Sequence, residues 1–329
     1  MNSLSPYVRI MGRGPGRARS LTQAEAFEAM EIILSGQAAP EATGALLMLM
    51  RYRGEIPEEI AGFVQALRGA LETWPGQAPA LDWPSYAAGR TRGVPWFLLA
   101  AKLVARAGHS VLLHGWNSHQ AQAASVRGAL AHAGIESAAS LSEASDLLAR
   151  DRIAYLPLES FAPKAYALLR LRDVLGLRSA VNTCLRVLNP GGAGAAVQGV
   201  FHPPYRELQS NACAILGLNG LTVIKGGGGE FERHPGKDAA LYGLRNGALF
   251  EQSAPATLDE PARKLADMGH EAQDLARLWS GALSDDFARE IVLSTAALAL
   301  ETLGEPNGET RARALWQERQ APIAPAPSH

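Results

Sequence analysis

Cationic side chains set close to glycine are the residues of this chain best suited to chemistry, and the chemistry they suit is the holding of phosphate. Between Gly89 and Gly93 stand Arg90, Thr91 and Arg92, two fixed positive charges in a glycine-bounded loop. The planar fork of arginine matches phosphate oxygens in pairs. A second stretch runs Lys225-Gly226-Gly227-Gly228-Gly229-Glu230-Phe231-Glu232-Arg233-His234-Pro235-Gly236-Lys237. Consecutive glycines let backbone N–H groups converge on an anion, and Lys225, Arg233 and Lys237 flank the run, although Glu230 and Glu232 dilute its charge. Arg172 and Arg178 are spaced about two turns apart toward the end of one expected helix, where a cation is also favoured by the helix dipole. The expected phosphate-binding set is therefore Arg90, Arg92, Arg172, Arg178, Lys225, Gly226, Gly227, Gly228, Arg233 and Lys237. Trp96 and Trp116 offer flat faces for bases and equally suit a core. His202 and His234 stand too far apart in sequence to suggest a metal site, and none is expected.

The elements that must position these groups follow from spacing. Thr22 with Glu25 reads as a capping box opening a helix, with Ala26, Phe27, Met30, Ile33 and Leu34 at helical intervals and Gly36 as its end. Pro40-Glu41 opens a second helix that Gly54 breaks, and Pro57-Glu58-Glu59 opens a third with acids in its first turn. Residues 1–20 read as a basic, glycine-rich, mobile arm, and Pro75 to Pro84 as a linker. Strands then alternate with helices: strands at 110–113, 153–157, 195–200 and 221–224, helices at 97–107, 125–133, 162–175 and 207–216. Such alternation predicts an α/β class with a mainly parallel sheet covered on both faces, beside a small all-helical N-terminal domain. Residues 258–303 read as largely helical. The expected division is a helical domain over 1–72, joined by a later helix pair near 162–188; an α/β domain over 80–161 and 189–319; and a disordered tail over 320–329. In open α/β sheets ligands bind at the carboxyl ends of the strands, where the glycine run falls, directly after the strand at 221–224.

Composition narrows the class. Of 329 residues, 47% are apolar and 19% charged, with a net charge of −1, so a sizeable core is available and no global charge marks a polyanion binder. The two cysteines, Cys184 and Cys213, form no C-x-x-C pair, which fits a reducing cytoplasm. No apolar run approaches the ~20 residues of a membrane span, and the arginines before residue 20 lack the apolar stretch of a secretory signal.

Several motifs make a resemblance. Leu21 to Ala26, Ser35-Gly36 and Arg51-Tyr52-Arg53-Gly54-Glu55-Ile56-Pro57-Glu58-Glu59-Ile60-Ala61-Gly62 look like the N-terminal domain of anthranilate phosphoribosyltransferase, within glycosyltransferase family 3. His114-Gly115, Arg172, Leu175-Gly176-Leu177-Arg178, Asn182, Leu188-Asn189-Pro190 and Gly199-Val200-Phe201 extend the likeness over about residues 8–250. The resemblance implies the fold just described, a homodimer formed through the helical domain, and a donor site for magnesium-chelated phosphoribosyl diphosphate. Candidate catalytic residues carried over on the matching positions are His114, Asn117, Arg172 and Glu232, with Arg172 at the place of the arginine that holds the anthranilate carboxylate; His119 is expected near the same cleft.

The donor motifs depart from the family. Its G-T-G-G-D loop is Ala88-Gly89-Arg90-Thr91-Arg92-Gly93 here, its N-x-S-T falls on Pro95-Trp96-Phe97-Leu98, and the lysine of its K-H-G-N is Leu113. Its metal-binding D-E pair falls on Phe231-Glu232 or, one place over, on Glu230. This pattern resembles the divergent YbiB-type branch, which keeps the fold and is associated with nucleic-acid binding. Two activities are thus expected as alternatives. One is sequence-nonspecific nucleic-acid binding, to DNA or RNA, by a basic groove of a cytoplasmic homodimer with no cofactor. The other is an active glycosyl- or phosphoribosyltransferase with altered donor or acceptor, which alone would call for magnesium and phosphoribosyl diphosphate. A protein that only recruits partners is the third.

Overall fold

A computed structural model describes residues 3–14, 16–86, 93–116, 125–260, 262–264 and 269–321. Four helices lead the chain: α1 (Ser5–Gly12), α2 (Gln23–Leu34), α3 (Pro40–Arg53) and α4 (Pro57–Gly69). The capping box forms as the sequence predicts: Glu25 N–H donates to Thr22 Oγ1, and Thr22 N–H donates back to the Glu25 carboxylate. Prolines open α3 and α4, where a missing N–H costs nothing. Gly62 lets α2 and α4 meet closely, since a Cβ there would stand 2.3 Å from the Gln23 carbonyl oxygen. Buried Glu59 ties the same corner by accepting from the N–H of Leu21 (2.8 Å) and Ile56 (3.1 Å).

The basic arm is a correction. Residues 5–12 form α1, which packs on α3 and buries Met11, with Leu4 buried just before it. Arg19 is held by both oxygens of Glu25 at 2.6 Å.

A seven-stranded sheet follows, built from β1 (Leu81–Ser85), β2 (Val111–Gly115), β3 (Ile153–Pro157), β4 (Ala195–Val200), β5 (Gly220–Lys225), β6 (Ala239–Arg245) and β7 (Ala248–Ala254). Its order is β3-β2-β1-β4-β5-β6-β7; the first five are parallel and the last two antiparallel. Helices cover both faces: α5 (Phe97–Arg106), α6 (Val126–Ala133), α7 (Leu141–Asp151), α8 (Leu158–Phe161), α9 (Pro163–Arg170), α10 (Arg172–Leu175), α11 (Val181–Val187), α12 (Tyr205–Ile215), α13 (Asp274–Ser280), α14 (Asp286–Thr302) and α15 (Gly308–Gln317). Side chains alternate along each strand. Leu112, Ala154 and Ala196 join the core shared with the N-terminal helices, while Val111, Leu113, Ile153 and Ala195 join the core under α5 and α14. α11 packs on α4, and the half-buried Arg68 side chain clamps the two by donating to the carbonyls of Leu188 (2.7 Å) and Val187 (3.1 Å).

Three further expectations change. The expected linker to Pro84 contains β1, the central strand. Pro84 is tolerated because β1 pairs β4 only at Leu81 and Asp82, so its missing N–H falls where that ladder has already opened. The β6–β7 hairpin, turned at Asn246 (φ 51°) and Gly247 (φ 76°), was unforeseen. The helix expected over 162–175 is α9 followed by α10, and Arg178 lies beyond its end at Gly176, so Arg172 and Arg178 do not share a helix.

Candidate functional site

Parallel strands β1 and β4 connect to opposite sides of the sheet, and the crevice between their carboxyl ends is the switch point where α/β sheets take ligands. Its floor is polar and buried. Asp82 of β1 and His114 of β2 are fully buried, with His114 Nε2 3.2 Å from Asp82 Oδ1, close enough for attraction but off the line of a hydrogen bond. Tyr86 lies 2.9 Å from His114 Nδ1 through its hydroxyl. With Nε2–H turned toward the carboxylate, Nδ1 accepts and the phenol donates. Burial, then Tyr155 and Asp82, hold the Tyr86 phenol well above its usual range, so it stays a neutral donor. His114 is thereby a buried structural hydrogen-bonder, out of reach of a substrate.

Arg186 of α11 completes the floor. It is 8% exposed, and its guanidinium donates to the Tyr86 carbonyl at the end of β1 and to the Asn182 carbonyl at 3.0 Å. Burial pushes its basicity down, and Glu230, Tyr86 and Tyr205 push it back up. Sequence reasoning missed this residue. The one signal for it is a lone arginine inside the otherwise apolar stretch Cys184 to Leu188.

Above it the cations gather. Arg178 is held down to about 10, by burial first and then by Arg172, Arg186 and Arg51. Those four guanidinia come from α3, α10, the turn after α10, and α11. Among the described residues, neither Arg172 nor Arg178 pairs with a carboxylate. The acid at the margin, Glu55, accepts a hydrogen bond from the Tyr205 hydroxyl at 3.1 Å, and Arg51 approaches the same hydroxyl at 3.5 Å.

The glycine run lies on the other side of Glu230. Gly226 has no room for a side chain, because a Cβ would fall 1.7 Å from the Glu230 carbonyl oxygen. The run is not the amide nest its composition suggests. The N–H groups of Gly226, Gly227, Gly229 and Glu230 donate to Val200, Glu232, Gly226 and Gly227 carbonyls, all within 3.2 Å. What remains for a ligand is a pocket of about 390 Å³ whose walls include the cations Arg206, Lys225, Arg233 and Lys237 and the acids Glu232 and Asp238. Lys225 and Lys237 are exposed there. Arg233 is buried and gives its guanidinium to the Pro255 carbonyl, which makes it part of the wall. Glu232 is buried too, accepting from Phe97 N–H at 3.0 Å at the start of α5.

Arg90, Arg92, Asn117 and His119 lie outside the described residues. Trp96 and Trp116 are core residues, buried on opposite faces of the sheet. Two aromatics are exposed here: Phe201, 41% exposed just after β4, and Tyr52, 91% exposed beside Arg51 on α3. Among the described residues, no helix is long and apolar enough to cross a membrane.

A helical domain beside an α/β domain with a mostly parallel sheet is the fold of the solved anthranilate phosphoribosyltransferases. Residues 6–70 match the glycosyl transferase family helical bundle domain. The chain is 29% identical over 304 residues to anthranilate phosphoribosyltransferase of Moorella thermoacetica, covering 90% of this chain and 88% of that protein. It is 28% identical over 258 residues to an uncharacterized protein of Aquifex aeolicus, covering 78% and 79%. Among solved structures, anthranilate phosphoribosyltransferase of Thermus thermophilus superposes with a TM-score of 0.75 at 24% identity, covering 98% and 95%. The Saccharomyces cerevisiae enzyme in complex with phosphoribosyl diphosphate and magnesium superposes at 0.77 and 16%, covering 96% and 93%.

Proposed function

We propose that this chain uses the inherited crevice to bind nucleic-acid phosphates without reading sequence, as a homodimer joined through the helical domain and with no metal. The observation that carries the reading is Arg178, whose basicity is lowered by burial and then by Arg172, Arg186 and Arg51 around it, with no carboxylate pairing Arg172 or Arg178 among the described residues. Such a group is costly in the free protein and is relieved by an anion with several charges. Lys225, Lys237 and Arg206 extend it past the glycine turn, and Phe201 stands at the same rim for a base to stack on.

The magnesium-diphosphate donor fits the described residues poorly. Magnesium requires oxygen ligands that face its substrate. Glu232 caps α5, Glu230 is fully buried, and the described residues contain no group of three or more acidic, histidine or cysteine side chains placed to hold a metal. No reaction step is derived through that donor. The second reading, an active transferase with altered substrates, is favoured by the similarity to the Moorella enzyme over nine-tenths of the chain and by Arg172.

Two measurements separate them. Fluorescence anisotropy with a labelled 20-nucleotide strand should show binding that falls steeply with salt, and Arg172→Gln with Arg178→Gln should weaken it at least tenfold. Equal affinity in the double variant refutes the first reading. Calorimetry with phosphoribosyl diphosphate should show no gain in affinity when magnesium is added, and micromolar binding that requires magnesium would establish the second.

A further inference from the structure

The floor of the crevice contains a positive charge that the proposed binding does not need for contact. Arg186 is buried, and its guanidinium donates to two main-chain carbonyls: Tyr86 at the end of β1 and Asn182 within its own helix. Surface arginines recognise phosphate as well without the desolvation that burial imposes. The location is more telling than the burial. Tyr86 ends the strand at the switch point, and the acid whose field acts most strongly on Arg186 is Glu230, in the segment where the resemblance places a metal-binding carboxylate. The neighbouring acid, Glu232, is committed to the N-terminus of α5.

We propose that the Arg186 guanidinium is a built-in cation standing where a phosphate-bridging metal would have to stand. It excludes divalent metal from the floor of the crevice and supplies fixed positive potential to phosphate bound at Arg172 and Arg178. Anion binding by this chain is then independent of magnesium. The inference rests on the phosphate-binding reading of the crevice, but it concerns a different property, the source of the charge beneath the phosphate. Arg186 does this as a positioning residue: it holds the end of β1 and sets the potential, while phosphate contacts fall to Arg172 and Arg178.

The test compares the intact protein with Arg186→Gln, which keeps N–H donors for a main-chain carbonyl and removes the charge. Arg186→Met, which removes both, reports the packing contribution. Thermal melts establish that each variant is folded. Inorganic pyrophosphate is titrated calorimetrically in EDTA and again with excess magnesium, and Mn²⁺ binding is followed by electron paramagnetic resonance. The wild-type protein is expected to bind pyrophosphate in EDTA, to gain nothing from magnesium and to bind no Mn²⁺. Arg186→Gln is expected to lose at least tenfold in EDTA while melting within a few degrees of wild type, and to recover part of that loss with magnesium. The inference is overturned if wild-type pyrophosphate binding requires magnesium or improves more than threefold with it. It is equally overturned if wild type binds Mn²⁺, or if Arg186→Gln binds pyrophosphate in EDTA as wild type does. A 20-nucleotide strand titrated in EDTA keeps the two ideas apart. Oligonucleotide binding alongside magnesium-dependent pyrophosphate binding sinks the role of Arg186 and leaves the nucleic-acid reading standing; no oligonucleotide binding alongside metal-free pyrophosphate binding sinks the nucleic-acid reading and leaves the role of Arg186 standing.

Discussion

Replacing Arg178 by glutamine should stabilise the free protein while weakening its grip on polyanions. Arg178 is half-buried beside Arg51, Arg172 and Arg186, and its basicity is held down to about 10. The drop from the usual arginine range corresponds to about 3 kcal/mol at full weight. Solvent around a side chain this exposed screens most of that, leaving about 1 kcal/mol. The sign follows from proton linkage. The folded-state value lies below the unfolded one, so the cost is present in full at neutral pH and is relieved as pH rises through about 10. Arg178→Gln removes it at pH 7. For a chain of 329 residues this is a rise in melting temperature of about 1–2 °C. Loss of one phosphate contact should in turn lower the slope of log Kd against log salt by about 0.7–0.9. Differential scanning calorimetry and anisotropy titrations from 50 to 300 mM salt read the two effects on one preparation. A lower melting temperature with an unchanged salt slope would show that Arg178 is an ordinary structural arginine, and the reasoning would fail.

Other substitutions probe the frame of the site. Gly226→Ala sets a methyl 1.7 Å from the Glu230 carbonyl oxygen, so it should disrupt the turn, costing at least about 2 kcal/mol and weakening oligonucleotide binding; a wild-type urea midpoint would contradict the geometry. Glu59→Ala strands the buried N–H of Leu21 and the part-buried N–H of Ile56 and should destabilise by about 2–4 kcal/mol, read as a fall in denaturant midpoint. Asp285 caps α14 through Ala288 N–H and also holds Arg263 and His270; Asp285→Ala should cost about 2 kcal/mol, and amide exchange in the first turn of α14 should quicken. Phe201→Ala should leave the melting temperature within a degree and weaken single-strand binding by about 1 kcal/mol; unchanged binding would remove Phe201 from the site.

Much of the frame was legible because local rules act locally. Thr22 and Glu25 announce their own capping box, prolines at 40 and 57 open helices, and short apolar runs mark β2, β3, β4 and β5. β1 was hidden by Pro84, which excludes a strand only where both of its ladders are complete; here the second ladder ends two residues earlier. The Asn246-Gly247 pair carries a strong hairpin signal, and the β6–β7 hairpin turns there. In the site, the glycine run was read as a donor of amides because composition does not reveal where those amides are already directed. The arginine group was only half visible. Arg172 and Arg178 stood out, but Arg51 and Arg186 join them through the packing of α3 and α11, a long-range fact that no spacing along the chain records. Arg233 shows the converse, a cation that sequence places at a surface and the fold turns toward the Pro255 carbonyl.

The most direct trial of the whole account is a crystal structure with a short oligonucleotide grown in EDTA. Backbone phosphates within hydrogen-bonding distance of Arg172 and Arg178, with Arg186 still bound to the Tyr86 carbonyl beneath them, are the predicted result. An oligonucleotide seated away from this crevice, or a crevice that orders only around a magnesium-bound diphosphate, would contradict it.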